Sequence, residues 1–150
     1  MAFRGQQEHS LDSKDRITIP ARFRAALADG VVLFAGLDTC VDLYSLDEFA
    51  AFEKSYLANL SPMNRHSRML RRRFYAGSEE VQLDSAGRVR FPKSLLEHAE
   101  LSGACVIVGA GDHLEIWSQD AWAPERDEFE EKAAELAEEL DSSAGNGEHS

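Results

Sequence analysis

The chain has few of the residues that mark the more easily recognised protein classes. It has two cysteines, four prolines and two tryptophans in 150 residues. Cys40 and Cys105 are too few and too isolated for a disulfide framework or a zinc-ligand pair. They read instead as buried strand residues in a reducing compartment. No run approaches the roughly 18 apolar residues of a membrane helix, and Met1–Gln6 has no apolar stretch like a secretory leader. The expected setting is the cytoplasm. The five histidines show no metal-ligand spacing, and no Ser/His or Cys/His pair falls into an evident site. Gly109-Ala110-Gly111 leads into a strand rather than a helix, so it is a turn and not a phosphate loop. These absences point away from an enzyme, and neither cofactor, metal nor small-molecule substrate is expected.

Positive charge is also scarce: 16 Lys and Arg stand against 27 Asp and Glu, a net charge of −11. Such an average argues against a polyanionic partner. The charge is uneven, however. Residues 123–150 hold ten acids and two bases, a net of −8, leaving −3 for residues 1–122. Arg65 to Lys93 carries a net of +5. The whole-chain average therefore misdescribes the part that would meet a partner.

What the chain does have is an internal repeat, and self-similarity can decide a fold before any secondary structure is assigned. Leu11-Asp12-Ser13-Lys14-Asp15-Arg16-Ile17-Thr18-Ile19-Pro20 aligns with Leu83-Asp84-Ser85-Ala86-Gly87-Arg88-Val89-Arg90-Phe91-Pro92 at an offset of 72. After one inserted residue, Val32–Phe49 aligns with Cys105–Trp122, matching Gly36 to Gly109, Tyr44 to Trp117 and Ser45 to Ser118. In each copy a strand ends at Leu11 or Leu83 and a polar turn follows. A second strand then alternates, with Ile17 and Ile19, or Val89 and Phe91, on the apolar face. Pro20 and Pro92 stop that strand and suit the start of a short helix bearing Phe23 and Leu27, or Leu95 and Ala99. Two further strands close each copy, Val31–Ala35 with Val41–Tyr44 and Cys105–Gly109 with Leu114–Trp117.

A helical connector separates the copies. Ser45 and Glu48 form a capping-box signature, and Phe49, Phe52, Tyr56, Leu57 and Leu60 make an apolar stripe. Ser61-Pro62 predicts the start of a second helix, running to about Tyr75 and carrying Arg65, Arg68, Arg71, Arg72 and Arg73. Those arginines suit an interface, intramolecular pairing or phosphate contact. Packed together, the copies would bury what neither buries alone, with the connector covering an edge. The pattern divides the chain into repeat 1 at 5–49, a connector at 50–76, repeat 2 at 77–122, and an acidic region at 123–150. In the last, Pro124–Leu140 reads as helix and Ser142–Ser150 as a disordered tail.

The chemistry sits in the turns. Both copies have the spacing Asp-x-x-x-Arg, Asp12 with Arg16 and Asp84 with Arg88. The carboxylate can close the turn by accepting backbone N–H bonds, leaving the arginine on the outward face of the next strand. A guanidinium fork suits phosphate or the O6/N7 edge of guanine. The plain alternative is a surface ion pair of about 0–1 kcal/mol.

From Phe3 to Trp122 the chain resembles the MraZ family of bacterial transcriptional regulators. The resemblance rests on Phe3-Arg4-Gly5, the two turns through Pro20 and Pro92, Arg71-Arg72-Arg73-Phe74-Tyr75-Ala76-Gly77, Val108-Gly109-Ala110-Gly111-Asp112, and Leu114-Glu115-Ile116-Trp117. It implies a mainly β, α+β fold: a duplicated AbrB/MazE-like swapped hairpin, or double-split β-barrel, with connecting helices. It further implies a ring-like homo-oligomer that binds direct repeats in double-stranded DNA upstream of its own cell-division and cell-wall gene cluster, at the nucleoid. The implied DNA contacts are Asp12, Ser13, Lys14 and Arg16 with Asp84, Ser85 and Arg88. The two arginines would touch DNA directly and the two aspartates would shape the turns. Lys14 and Arg90 add phosphate contacts. The rival is an oligomeric protein-interaction module or antitoxin-like protein of the same fold. One departure stands out. Asp15 replaces the glycine that the family places before the turn arginine, and it sets a negative charge beside Arg16.

Overall fold

The computed structural model describes residues 2–148. Each copy contributes the elements its pattern predicts. In the first, β1 (Gln6–Ser10) and β2 (Arg16–Thr18) flank the polar turn, and α1 (Ala21–Arg24) follows Pro20 and tightens into a short turn at Ala25–Leu27. The hairpin β3 (Val31–Ala35) and β4 (Cys40–Ser45) completes it. The connector is α2 (Leu46–Phe52), continued by a wider turn at Glu53–Leu57, then α3 (Arg65–Ala76). The second copy runs β5 (Ser78–Val81), β6 (Arg88–Arg90), α4 (Lys93–Ala99), β7 (Ala104–Gly109) and β8 (Leu114–Ser118). A long α5 (Gln119–Glu148) ends the described chain.

The copies are interleaved. Six strands form one antiparallel sheet in the order β1-β7-β8-β4-β3-β5, and β2 pairs with β6 in a separate ribbon. The first strand of each copy thus pairs with the third strand of the other: Gln6 lies opposite Val108, and Val31 opposite Val81. The register preserves the duplication. Ile17 faces Val89, its own equivalent, in the ribbon. Asp42 faces its equivalent Glu115 in the sheet. The α+β architecture of two matched copies is the expected one, with the sheet and ribbon left as separate ladders among the described residues rather than closed into a barrel.

Alternation along the strands builds two cores. Val31, Leu33, Val41, Leu43, Leu114 and Ile116 face one way and pack with Ile17, Ile19, Val89 and Phe91 of the ribbon, and with Phe23, Leu27 and Leu95 from the helical segments. Val32, Phe34 and Tyr44 face the other way and meet Phe49, Leu57 and Phe74. The connector therefore covers the back face of the sheet, not an edge. Its aromatic rings need a broad apolar surface, and the second face of β3 supplies one. The capping box is present, with Ser45 Oγ accepting from the Glu48 N–H at 3.1 Å. The apolar stripe is narrower than expected: Tyr56 is 66% exposed, because the wide turn rotates it off the buried side. The second helix begins at Arg65 rather than at Pro62. Asn64 is its cap, accepting from the N–H groups of His66 and Ser67 at 2.8 and 3.3 Å, while Ser61 closes a local turn by accepting from the Met63 N–H. Asn is among the strongest N-cap residues.

The compact body runs to Gln119, and a second unit begins at Asp120. Within that unit α5 starts before Pro124 and continues beyond Leu140, through the segment whose composition predicts disorder, as far as Glu148. Once a helix is nucleated, each further residue adds a hydrogen bond at low cost. His149 and Ser150, the end of the expected tail, lie outside the described residues. Among the described residues no helix is long and apolar enough to cross a membrane.

Candidate nucleic-acid interface

The two Asp-x-x-x-Arg turns have the same internal wiring. Asp12 Oδ1 accepts from the backbone N–H groups of Lys14 and Arg16 at 2.9 and 3.0 Å, and Oδ2 accepts from Arg16 Nε at 2.8 Å. Asp84 repeats this with the N–H groups of Ala86 and Arg88 at 3.0 and 2.9 Å and with Arg88 Nε at 2.7 Å. The Arg16 N–H, foremost, holds the Asp12 carboxyl down to about 2. The Arg88 N–H likewise lowers that of Asp84. Both stay ionised at neutral pH, as the clamp requires.

The clamp uses only one nitrogen of each guanidinium. Among the described residues, no hydrogen bond engages the terminal Nη groups of Arg16 or Arg88, and the side chains are 23% and 34% exposed. Each arginine is thus fixed at Nε and open at its outer edge. That geometry can offer a bidentate donor pair with little loss of side-chain entropy.

The ribbon joins the two turns. Arg16 lies opposite Arg90 and Thr18 opposite Arg88, while Ile17 and Val89 turn into the core. Each turn is also tied to the other copy: the Asp15 carbonyl accepts from the Phe91 N–H at 3.0 Å, and the Gly87 carbonyl from the Ile19 N–H at 2.9 Å. The structure therefore gathers Asp12, Arg16, Asp84, Arg88 and Arg90 about one small ribbon. Ser13, Lys14 and Ser85 are exposed on the turns themselves.

Asp15 and Gly87 occupy the same left-handed backbone position, at φ of 60° and 76°. Aspartate tolerates that region better than most residues, so the first turn keeps its shape. The sequence pattern missed Arg24. Its side chain packs over Gly87, where a Cβ would collide with it, and its Nε donates to the Ile19 carbonyl at 2.9 Å. No motif marks Arg24, because only the exchange between copies carries α1 to the second turn. The second turn thus has Arg24 and Arg88 beside it, and the first has Asp15 beside Arg16. Replacing Asp15 by Gly is expected to tighten binding to a polyanion severalfold, by removing a charge adjacent to Arg16. A filter-binding titration at low salt measures it, and equal affinity in the two proteins would refute it.

The connector arginines divide. Arg73 donates to the carbonyls of Ala35 and Gly36, both at 2.8 Å, and so pins the β3–β4 hairpin. Arg68 donates to the Pro62 carbonyl. Arg65, Arg71 and Arg72 are exposed.

Two copies of a hairpin with exchanged first strands, presenting paired arginine turns on a shared ribbon, define a duplicated swapped-hairpin protein. Comparison with known proteins gives the particular kind. The family model described as MraZ protein, whose description also carries the words antitoxin-like, matches residues 2–73 and again residues 74–143, and the chain belongs to that family. It is similar to a protein of Alkaliphilus metalliredigens named transcriptional regulator MraZ, with 39% identity over 135 residues covering 90% of this chain and 94% of the relative. Proteins of the same name from Limosilactobacillus fermentum and Alkaliphilus oremlandii are each 40% identical, covering 88% and 89% of this chain and 94% and 98% of their own lengths.

Proposed function

We propose that the chain is a transcriptional regulator, not an enzyme, that binds double-stranded DNA through its two Asp-x-x-x-Arg turns. The observation that carries this reading is the matched pair of turns, each holding its arginine at Nε and leaving the outer guanidinium edge open. In this reading Arg16 and Arg88 touch DNA directly, Asp12 and Asp84 shape the turns, and Ser13, Ser85, Lys14 and Arg90 contact the adjoining backbone. The relatives' name supports a role in transcription.

The protein would act in the cytoplasm, at the nucleoid, as a repressor of its own division and cell-wall gene cluster. A ring of subunits would engage direct repeats together. Later contacts then become intramolecular, so weak binding by each subunit suffices, which reconciles an acidic chain with a DNA partner. Met69 and Leu70, 48% and 39% exposed on α3, suit a subunit contact. They also favour the second reading, in which the same fold serves protein assembly or an antitoxin-like role.

Titration of the purified chain with DNA from upstream of its own gene, beside scrambled DNA across a salt series, separates the two. The expected result is repeat-dependent binding whose affinity falls steeply as salt rises, by about 10³–10⁵ between 50 and 200 mM if six to ten phosphates are contacted. Equal weak binding to both DNAs would sink the DNA reading and favour assembly.

A further inference from the structure

The face of the sheet turned away from the ribbon carries a second group of side chains at its centre. Cys40 and Asp42 alternate along β4, and Glu115 lies on β8 with His113 just before it. The alignment that matches Tyr44 to Trp117 also matches Cys40 to His113 and Asp42 to Glu115. The register then sets Asp42 directly opposite Glu115, with side chains 14% and 22% exposed. Like charges so placed repel, and something must compensate them.

The geometry is that of a cradle. Ligand atoms of Cys40, Asp42 and Glu115 lie within 4.8 Å of one another. Cys40 Sγ is 3.5 Å from Asp42 Oδ1, and His113 Nε2 is 3.9 Å from Asp42 Oδ1 and 3.3 Å from Glu115 Oε2. Metal–ligand bonds of about 2.0–2.3 Å place tetrahedral ligand atoms roughly 3.3–3.8 Å apart.

The surroundings orient these groups as outer partners orient metal ligands. Asp112 Oδ1 is 2.6 Å from His113 Nδ1, which leaves Nε2 as the nitrogen facing the carboxylates. The imidazole also stacks on Tyr44, with ring centroids 4.5 Å apart. Trp117 Nε1 donates to Glu115 Oε1 at 3.0 Å, leaving Oε2 for the cluster. Gly36 makes room, since a Cβ there would meet Cys40 Sγ at 2.8 Å and Asp42 Oδ1 at 3.1 Å. A pocket of about 240 Å³ opens onto the group.

We propose that Cys40, Asp42 and Glu115 bind one divalent transition cation of the zinc class, and that His113 Nε2, which lies near the two carboxylates but outside the three-residue group, turns in as the fourth ligand. A mixed sulfur, nitrogen and oxygen set suits a borderline cation better than magnesium or calcium. An ion network alone accounts for His113 between two carboxylates. The Cys40 thiol can donate to Asp42 within that network, so it is the glycine that admits the sulfur and the pocket beside the group that leave room for a cation. Burial pushes the Asp42 carboxyl up to about 6. Burial, with Asp42 and Glu115 beside it, drives the Cys40 thiol far upward. Desolvation opposes a charged His113, but Glu115 and Asp112 outweigh it and raise the imidazole to about 9. The site is independent of the DNA reading.

The test uses the full chain, stripped with a chelator and titrated with cobalt(II) as a spectroscopic stand-in. The expected result is one equivalent bound per chain with a thiolate-to-cobalt charge-transfer band. Cys40→Ser abolishes the band, Cys105→Ser retains it, and Asp42→Asn or Glu115→Gln weakens binding about tenfold or more. Zinc displaces the cobalt. Absence of the band in the unsubstituted protein overturns the proposal whether or not any variant folds. So does a band that survives in Cys40→Ser, or one that disappears in Cys105→Ser while circular dichroism shows that variant folded.

Discussion

On the proposed DNA-binding reading, replacing Arg16 and Arg88 together by alanine is expected to abolish repeat-specific binding while leaving the protein folded. A well-placed bidentate arginine contributes about 1–3 kcal/mol. If the two act independently, the pair is worth about 2–6 kcal/mol, or roughly thirtyfold to ten-thousandfold in affinity. The structural cost is small, because among the described residues each arginine side chain hydrogen-bonds only within a partly exposed pair with Asp12 or Asp84, worth about 0–1 kcal/mol. The carboxylates keep their backbone N–H partners without it. Arg88→Ala alone should cost more than Arg16→Ala, since Asp15 burdens the first turn and Arg24 supports the second. Competition binding on promoter and scrambled DNA, with circular dichroism for the fold, reads all three variants. Unchanged affinity in a folded double variant would reduce the turns to structure.

Phe34→Ala should be the most damaging single truncation on the back face of the sheet. Phe34 is 1% exposed, and its ring lies 5.3–5.7 Å from those of Tyr44, Phe49, Phe52 and Phe74. It is the common neighbour of β4, α2 and α3. Truncating a buried phenylalanine costs about 3–5 kcal/mol, a large share of the typical 5–15 kcal/mol of a folded domain. Urea denaturation should register the loss as a lower midpoint, with Phe34→Leu falling between the two proteins. A change below about 1 kcal/mol would mean that the connector docks by other contacts.

Features with a local cause were legible in the sequence. Val31–Ala35 could be read as a strand because a continuous apolar run ends at a glycine. The Ser45–Glu48 cap could be read because its two partners are three residues apart. Both arginine turns were legible because acid and base fall within five residues, twice. Features that depend on the exchange between copies were not. Nothing near Gln6 says that it pairs with Val108 rather than with its own hairpin, and so nothing foretold Arg24 lying over Gly87. The back-face cluster was hidden for the same reason. Cys40-x-Asp42 and His113-x-Glu115 look inert until the register brings the two strands together. Charge repulsion between Asp42 and Glu115 cannot be seen in a composition.

The exchanged first strands also constrain how the chain is made. β1 leaves the ribosome early, but its partner β7 follows about a hundred residues later. Until then the N-terminal copy has apolar residues from Ile17 to Leu43 and no second half to cover them. Loop closure over such a separation is slow, and chains rich in distant contacts fold late. The duplication therefore delays completion of the sheet until β7 has been made, and part of the apolar surface of the first copy stays uncovered in the nascent chain until then.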